Sequence, residues 1–477
     1  MVFASPIFVF FFLPLTLAAY WLVPRRGKNA VLLVASLVFY IWGEGLFVAL
    51  VLASVLANWG FGLAIGSTGN AAARKRWLVA GVAANLATLA VFKYANFAVA
   101  NVDAIMPLLG VAPIALAAIH LPLGISFFTF HAISYVVDVY KKNADAQRWL
   151  PDFALYILLF PQLIAGPIIR WRDIAAQIPA RQHRLADFAY GVRRFILGLG
   201  KKVLIANTLG HVADQLFALP ASEMTTPLAW LGLACYTLQI YFDFSGYSDM
   251  AIGLMRMFGF RILENFNYPY ISQSIREFWR RWHISLSNWF RDYLYIPLGG
   301  NQRGRARGYA NLVIVFLLCG LWHGASWPFV VWGVWHGLFL VAERAGLDTL
   351  LARIGPLRHL YALAAVMGGW VLFRCETFTH ALDYYAALFG GATGDSLRRP
   401  LASYLDPLVA ITFLVAVIGA TPVARRIGTW RDARAANGGP AAALVLGADM
   451  VWLALVGTAA CAWLAAGTYN PFIYFRF

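Results

Sequence analysis

Charged side chains are scarce in this sequence. Asp, Glu, Lys and Arg make up 13% of the 477 residues, whereas hydrophobic residues make up 61%. A soluble globular protein carries about 25% charged residues. The apolar runs are also continuous and as long as helices, and they lack the alternation of apolar and polar residues that marks a membrane β-barrel. The sequence therefore predicts an all-α polytopic membrane protein.

Acidic residues and cysteines are also few. The 22 Asp and Glu residues against 38 Lys and Arg residues give a formal net charge of +16. Such an excess is typical of cytoplasmic loops that fix orientation and contact anionic membrane lipid, and it would also suit an anionic cytoplasmic substrate. No soluble basic domain is present, so nucleic-acid binding is not predicted. The four cysteines lie in apolar surroundings and no Cys or His cluster has metal-ligand spacing, so neither disulfides nor a metal site is predicted.

The apolar runs predict about 10–12 transmembrane helices, together with re-entrant and interfacial amphipathic helices. Beside a broken run at 308–342, the predicted spans are residues 3–23, 30–43, 45–66, 77–99, 121–139, 227–256, 357–373, 403–420 and 446–466. Residues 103–119 are too short and too polar at their ends to be predicted as a crossing. No basic segment precedes the first span, which is therefore predicted to be retained and not cleaved as a signal peptide.

Basic loops predict the orientation. Residues 24–28 and 74–76 are rich in Lys and Arg, which places them in the cytoplasm and the N-terminus outside. Residues 150–169 are rich in helix breakers and are followed by several arginines. A re-entrant hairpin that returns to the cytoplasmic side reconciles these two signals. The basic, Gly- and Ala-rich stretch from Arg425 to Pro440 is predicted to be a mobile cytoplasmic connection.

The stretch from Gly308 to Ala342 contains no Asp, Glu, Lys or Arg. As one helix it would reach about 50 Å, which exceeds a hydrocarbon core of about 30 Å. Gly and Pro disfavour a helix interior, so a break is predicted between residues 324 and 328. His323 precedes that break, and an ionisable side chain at membrane depth indicates a functional site. For His323, and still more for His336 near the end of the stretch, a core imidazole bonded to a backbone carbonyl is the alternative.

Residues 272–295 show the periodicity of one amphipathic helix at the membrane interface. A narrow polar stripe at spacings of three and four lies beside an aromatic one and consists of Arg276, Arg280, His283, Ser287 and Arg291. Three guanidinium groups beside an imidazole would suit an anionic group and would tend to keep the imidazole neutral. The alternative is a helix that lies on lipid phosphates and carries an incidental histidine.

Two other charged features allow more than one interpretation. Arg193, Arg194, Lys201 and Lys202 share one helical face, which either meets phosphates or an acidic carrier or extends to lipid head groups. Asp243 lies in a long run without formal charge. It is predicted either to orient a His or Arg partner or to form a structural ion pair or helix cap.

These residues leave two classes of function open. Imidazole is the usual general base for removing a proton from a hydroxyl group. No glycine-rich phosphate loop, serine nucleophile motif or metal cluster competes with it, which favours an acyl or group transferase that acts within the membrane. The alternative is a transporter or export component for a polysaccharide or a lipid-linked precursor, without acyl chemistry.

Long ordered motifs carry a resemblance to a known family. They are Phe160-Pro-Gln-Leu-Ile-Ala-Gly-Pro-Ile168, Tyr241-Phe-Asp-Phe-Ser-Gly-Tyr-Ser-Asp-Met-Ala-Ile-Gly253, Phe278-Trp-Arg-Arg-Trp-His-Ile-Ser-Leu-Ser287, Arg291-Asp-Tyr-Leu-Tyr-Ile-Pro-Leu-Gly-Gly300, Gly320-Leu-Trp-His-Gly324 and the closing Phe472-Ile-Tyr-Phe475. In these motifs the chain resembles the bacterial membrane-bound O-acyltransferases, and most closely their alginate O-acetyltransferase branch. The resemblance covers almost the whole chain and is weakest from about 380 to 450.

The resemblance implies a single membrane domain over residues 1–477, with a catalytic core at about 120–345 and helices around a central funnel and tunnel. It implies that His323 is the principal catalytic residue and His283 the second. Whether His283 is chemical or structural stays open. Arg276, Arg280 and Arg291 are predicted to bind the anionic donor or to steady the helix, with Asp243 as an orienting residue.

The resemblance also implies the substrates and the setting. Acetyl-CoA is the expected donor from the cytoplasm, with no bound cofactor, although an acyl-carrier protein is not distinguished from it. The acetyl group would leave on the opposite face of the bacterial inner membrane. There a periplasmic acetyltransferase- or esterase-like partner would pass it to a polysaccharide. Alginate, cellulose, another exopolysaccharide and peptidoglycan all stay open as acceptors.

Overall fold

The computed structural model describes residues 2–114, 116–467 and 469–471. Within these residues the regular elements are helices, and no β-strand occurs. The predicted all-α class is therefore confirmed. A helix suits an apolar environment because every backbone N–H and C=O group in its interior bonds within the same segment.

The chain divides into two compact units. The first comprises Met1–Gly191 and Ala251–Leu263, and the second comprises Val192–Met250 and Glu264–Phe477. The chain passes between units three times: within the helices Leu185–Gly200 and Thr226–Met257, and again after Leu263. The single domain over residues 1–477 and its core at about 120–345 stay predictions.

The first unit is built from apolar helices joined by short turns. Its α-helices are Leu13–Leu22, Lys28–Glu44, Val48–Ser67, Ala71–Leu89, Ala95–Asp103, Ile125–Tyr140, Leu150–Leu158, Phe160–Leu163, Trp171–Ile174 and Gln177–Ala180. The π-helical segments Phe8–Phe12 and Ala90–Tyr94 extend two of them, and 3₁₀ turns lie at Arg25–Gly27, Gly45–Phe47 and Met106–Leu109. The described residues at 104–124 contain no α-helix, as expected for a stretch that was not predicted to cross. The turn Gly45–Phe47 separates Lys28–Glu44 from Val48–Ser67, in agreement with the boundary between the predicted spans 30–43 and 45–66.

Two buried asparagines join neighbouring helices of the first unit. Nδ2 of Asn85 donates to Oδ1 of Asn58 at 2.6 Å, and Nδ2 of Asn58 donates to Oδ1 of Asn85 at 3.2 Å. Each amide thereby satisfies the other without a formal charge, which is a common way to join helices in an apolar environment.

The second unit contains the helices that follow Glu264, together with Asn207–Phe217. Its remaining α-helices are Asn207–Phe217, Ile275–Arg281, Ile284–Phe290, Arg305–His323, Trp327–Ala342, Asp348–Ala352, Arg358–Arg374, Phe378–Leu388, Pro407–Gly419, Val423–Ala436 and Gly439–Ala465. Its π-helical segments are Lys201–Ala206, Arg291–Tyr295 and Glu343–Leu347, and its 3₁₀ turns are Pro269–Ile271, Gly355–Leu357 and Leu401–Tyr404.

The prediction of a mobile connection from Arg425 to Pro440 is wrong. Most of that stretch forms the helix Val423–Ala436. Ala and Arg favour helices strongly enough to outweigh the single interior glycine. Positive φ angles at Gly438 and Gly439 follow the helix and redirect the chain.

Length and apolarity identify four helical segments of the described chain that could each cross a membrane. They are Arg25–Ser67, Ala71–Asp103, Arg305–His323 and Gly439–Ala465. Pro407–Gly419 and Val423–Ala436 are long and apolar enough only when taken together, and they are bent by 67°, as in a broken span or a re-entrant loop. The figure of 10–12 crossings and the central funnel stay predictions.

The uncharged stretch folds as two closely packed helices, here called the histidine hairpin: Arg305–His323 and Trp327–Ala342. The predicted break is confirmed, because the first helix ends at His323 and Gly324 is extended. The helices approach so closely that a Cβ atom on Gly320 would lie 2.2 Å from the backbone oxygen of Phe329. A Cβ atom on Gly333 would lie 2.3 Å from the backbone oxygen of Phe316. Small residues at such contacts let helix backbones pack in membranes.

This contact predicts that Gly320→Ala destabilises the protein by about 2 kcal/mol, because a methyl group must displace the backbone of the facing helix. Thermal unfolding of purified protein in detergent, followed by tryptophan fluorescence, measures the effect. Gly447→Ala is the matched control, since a Cβ atom there meets nothing within 4 Å. Equal unfolding midpoints for the two variants would contradict this account of the hairpin.

Candidate active site

His323 is the last residue of the first hairpin helix and is 7% exposed. Its imidazole lies among aromatic rings, with centroid distances of 4.9 Å to Trp322, 5.1 Å to Trp332 and 5.1 Å to Phe373. Gly324 is required beside it, because a Cβ atom there would lie 2.2 Å from the ring of Phe329. The histidine is therefore held at a helix end by packing that tolerates little change.

The ring of His336 also packs on the Trp332 indole, with a centroid distance of 5.0 Å. It is fully buried, and within the described part of the chain neither ring nitrogen has a hydrogen-bond partner. The rings of Trp279 and Phe278 also pack nearby. The predicted alternative for His336, a bond to a backbone carbonyl, is therefore not what the structure shows. An aromatic cluster holds it.

The prediction of one amphipathic helix over residues 272–295 is wrong. Two short helices, Ile275–Arg281 and Ile284–Phe290, replace it, and we call them the split helix. Trp282 between them is extended, and His283 is left-handed with a φ of 44° and a ψ of 55°. A left-handed non-glycine residue is strained and interrupts the helical spacing on which the polar stripe depended.

The predicted cluster of guanidinium groups around His283 does not form. Arg276 lies 3.5 Å from Asp348, Arg291 pairs with its neighbour Asp292, and Arg280 is exposed to the surroundings. A buried carboxylate, Glu343, instead accepts the backbone N–H groups of Ile275 and Arg276 at the start of the split helix. Donor binding by the three arginines stays a prediction.

His283 is fully buried in neutral surroundings. Its Nδ1 atom lies 3.2 Å from Oδ1 of Asn265, and its ring packs on Phe244 at 4.6 Å and on Trp322 at 6.2 Å. Both helices of the split helix are too short to span a membrane. Burial lowers the pKa of His283 to about 3, so the ring is neutral at physiological pH. The expectation of a neutral imidazole therefore holds, but desolvation is its cause and not neighbouring cations.

The two histidines named by the motifs share one aromatic neighbour. The ring of Trp322 lies 6.2 Å from that of His283 and 4.9 Å from that of His323. The structure thus brings His283 and His323 into one aromatic neighbourhood of the second unit. Asn265 belongs to the same group, although no motif spacing pointed to it. Its signal in the sequence is weak: an amide in a short irregular stretch between helices.

Asp243 forms a buried ion pair with Lys202. Nζ of Lys202 lies 2.7 Å from Oδ1 of Asp243, and both side chains are almost completely buried. Lys202 also donates to Oδ1 of Asn207 and to the backbone oxygen of Pro471. The structure thus shows the alternative of a structural ion pair, and the orientation of a His or Arg by Asp243 stays a prediction.

The predicted cationic face on residues 193–202 is neutralised within the second unit. Arg193 pairs with Asp449, and Arg194 and Lys201 both pair with Asp249. Because these arginine and lysine side chains pair with carboxylates of the same unit, they do not present an open cationic surface to phosphates. Within the described part of the chain no three His, Cys, Asp or Glu side chains gather as metal ligands would.

Residues 126–366 match the model of the MBOAT, membrane-bound O-acyltransferase family. The chain belongs to the membrane-bound O-acyltransferase family. The matched stretch contains His283, His323 and all the motifs except the closing Phe472-Ile-Tyr-Phe475, which lies outside the described residues.

Several curated O-acyltransferases align with most of the chain. A protein named “Probable alginate O-acetylase AlgI” from Azotobacter vinelandii is 50% identical over 422 residues, covering 88% of this chain and 84% of that protein. A protein of the same name from Pseudomonas putida is 46% identical over 100% of both chains. The “Peptidoglycan O-acetyltransferase” of Helicobacter pylori is 35% identical over 85% of this chain and 83% of that protein. The chain is thus a multi-pass membrane protein and an O-acyltransferase.

The buried ion pair predicts that Lys202→Met destabilises the protein by about 4 kcal/mol, because Asp243 loses the buried cation paired with it. Urea unfolding in detergent measures this loss. Lys201→Met is the control, with an expected loss of under about 1 kcal/mol, since Asp249 keeps Arg194 and the pair is partly exposed. Adding Asp243→Asn to Lys202→Met should restore part of the stability. Equal losses in the two single variants would contradict a structural role for this pair.

Proposed function

We propose that this O-acyltransferase moves an acetyl group from acetyl-CoA in the cytoplasm to hydroxyl groups of an extracytoplasmic polysaccharide such as alginate. Two relatives at 46% and 50% identity carry the name alginate O-acetylase, and a more distant one is named for peptidoglycan. These names support acetyl as the group and a polysaccharide as the acceptor.

The setting of His323 carries the proposal. This imidazole lies at a helix end inside an uncharged stretch, is almost completely buried, and is enclosed by three aromatic rings. A site that excludes water protects an acetyl thioester from hydrolysis and strengthens electrostatic interactions during transfer. A histidine in such a site is suited to general-base catalysis on a hydroxyl group.

In the proposed reaction His323 accepts the proton of the acceptor hydroxyl group while the oxygen of that hydroxyl attacks the carbonyl carbon of the acetyl thioester. The new O–C bond forms and the C–S bond breaks. The coenzyme A thiolate leaves and takes up the proton that His323 held, so the histidine returns to its starting state. His283 is proposed as the second histidine of this site, where its neutral imidazole can accept a hydrogen bond.

The proposed setting is the bacterial cytoplasmic membrane, with the N-terminus outside. The basic loops at residues 24–28 and 74–76 support this orientation under the positive-inside rule. It places the donor on the basic side and the acceptor on the opposite side. A periplasmic protein related to acetyltransferases or esterases is the proposed recipient that passes the acetyl group to the polymer.

The proposal predicts that His323→Ala lowers acetyl transfer at least about 100-fold, because general-base catalysis contributes 10²–10⁴-fold. The assay uses protein purified into lipid nanodiscs, labelled acetyl-CoA, and either water or a candidate periplasmic partner protein as acceptor. His211→Ala is the control, since that histidine is exposed on the helix Asn207–Phe217.

The outcomes of that assay test the role of His323 and the identity of the acetyl donor. Equal turnover in wild type and His323→Ala would remove this residue from the chemistry. Turnover with an acylated carrier protein but not with acetyl-CoA would contradict the proposed donor. In cells, loss of polymer export with acetylation intact would favour the transport function that the sequence left open.

A further inference from the structure

A buried network of neutral side chains holds His283 in the second unit. Asn265 lies at its centre, and the side chains of Asn265, His283, Ser285 and Ser248 are all buried. Oδ1 of Asn265 accepts the backbone N–H of Ser285 at 3.1 Å and the hydroxyl of Ser285 at 2.8 Å. Its Nδ2 donates to Oγ of Ser248 at 3.1 Å.

The backbone N–H of Ser285 fixes the orientation of the Asn265 amide. A backbone N–H can only donate, so the atom of the amide that faces it must be the oxygen. That same oxygen lies 3.2 Å from Nδ1 of His283. Two lone pairs at this distance would repel each other. The Ser285 hydroxyl also lies 3.4 Å from Nδ1, but its proton is used in the shorter bond to Oδ1 of Asn265. We therefore assign the proton of the ring to Nδ1, which donates it to Asn265.

The tautomer of His283 follows from this bond. A neutral imidazole carries one proton, and if that proton is on Nδ1 then Nε2 presents a lone pair. Nε2 of His283 is buried and has no hydrogen-bond partner among the described residues. A buried acceptor without a donor is unfavourable, which indicates a place for a hydroxyl or water donor beside this atom.

Asn265 also holds the strained backbone at His283. Its carbonyl oxygen accepts the N–H of Ile284 at 3.0 Å, while its side chain accepts the N–H of Ser285. These bonds secure the two residues that follow the left-handed His283. One asparagine thus sets the direction of the chain, the position of the ring and the proton on Nδ1.

We propose that Asn265 is a positioning residue that holds His283 as the Nδ1–H tautomer, so that Nε2 accepts a hydrogen bond from the hydroxyl group or water that takes part in acyl transfer. This inference rests on the proposed function, because it assigns His283 a part in that reaction. It goes beyond the proposed function in naming the residue that prepares His283 and the atom that His283 presents.

Charged groups do not account for the state of His283. On its own segment Arg281 pairs with Glu277 and Arg280 is exposed. On the helix Thr226–Met257, Asp249 is paired with Lys201 and Arg194. His323 on the histidine hairpin shares the neighbour Trp322 with His283.

Two substitutions at Asn265 test the inference in the nanodisc assay. Asn265→Leu removes the acceptor for Nδ1, so kcat should fall about 100-fold while KM for acetyl-CoA changes little. Asn265→Asp keeps the acceptor and adds a negative charge, which raises the pKa of His283. Because the neutral ring is the active form, the acid limb of the pH–rate profile should move upward by at least about one pH unit. Asn267→Asp is the matched control, since Asn267 is an exposed residue two positions away.

A second readout does not depend on activity. In protein with ¹⁵N-labelled histidine, the resonance of His283, assigned by its absence in His283→Gln, should show a protonated Nδ1 and an unprotonated Nε2. This pattern should persist in Asn267→Asp and change in Asn265→Leu. A protonated Nε2 in the wild type would overturn the inference, whatever the assay shows.

The outcomes separate this inference from the proposed function. If His323→Ala is inactive but His283→Ala and Asn265→Leu keep full turnover, the inference fails and the proposed function stands. If Asn265→Leu unfolds, Asn265→Asp still decides, because an unchanged pH profile in a folded Asp variant contradicts the positioning role. Support for the inference is a combined His283→Ala and Asn265→Leu loss no larger than that of His283→Ala alone, as expected for residues that act as one unit.

Discussion

The close approach of the two helices of the histidine hairpin is the contact on which the candidate site depends. Gly320 and Gly333 leave no room for side chains, so the backbones meet directly. That contact fixes the end of the first helix, where His323 lies, against the second helix, which supplies Trp332 and His336. Because the interior is close-packed, a shift of one helix would move all three rings together.

A shortage of charge governs the rest of the second unit. Buried charged side chains of this unit form ion pairs, as Lys202 does with Asp243 and as Arg194 and Lys201 do with Asp249. Such pairs are costly to break and contribute little when intact, so they define position more than they add stability. They also explain why a face that looks cationic in the sequence offers no open charge in the fold.

Sequence patterns predicted what local chemistry controls and missed what distant contacts control. The break after His323 was predictable, because Gly and Pro act on the backbone wherever they stand. The split helix was not, since the periodicity of residues 272–295 continues across Trp282 and His283 and only contacts from Asn265 and Glu343 redirect the chain. The sequence likewise predicted that Asp243 has a partner, but only the fold shows that Lys202 is paired with it.

The side chain that lies beside Nδ1 of His283 is also uncharged, since it is the amide of Asn265. A carboxylate beside Nδ1 would make this imidazole a stronger base, but a buried carboxylate without a cation is expensive. A neutral amide fixes the same tautomer at a smaller desolvation cost and leaves the ring uncharged over the physiological range. His283 is thereby suited to accept a hydrogen bond and poorly suited to keep a proton. If His323 removes the proton of the acceptor, a neutral acceptor atom at His283 complements it by orienting that hydroxyl group.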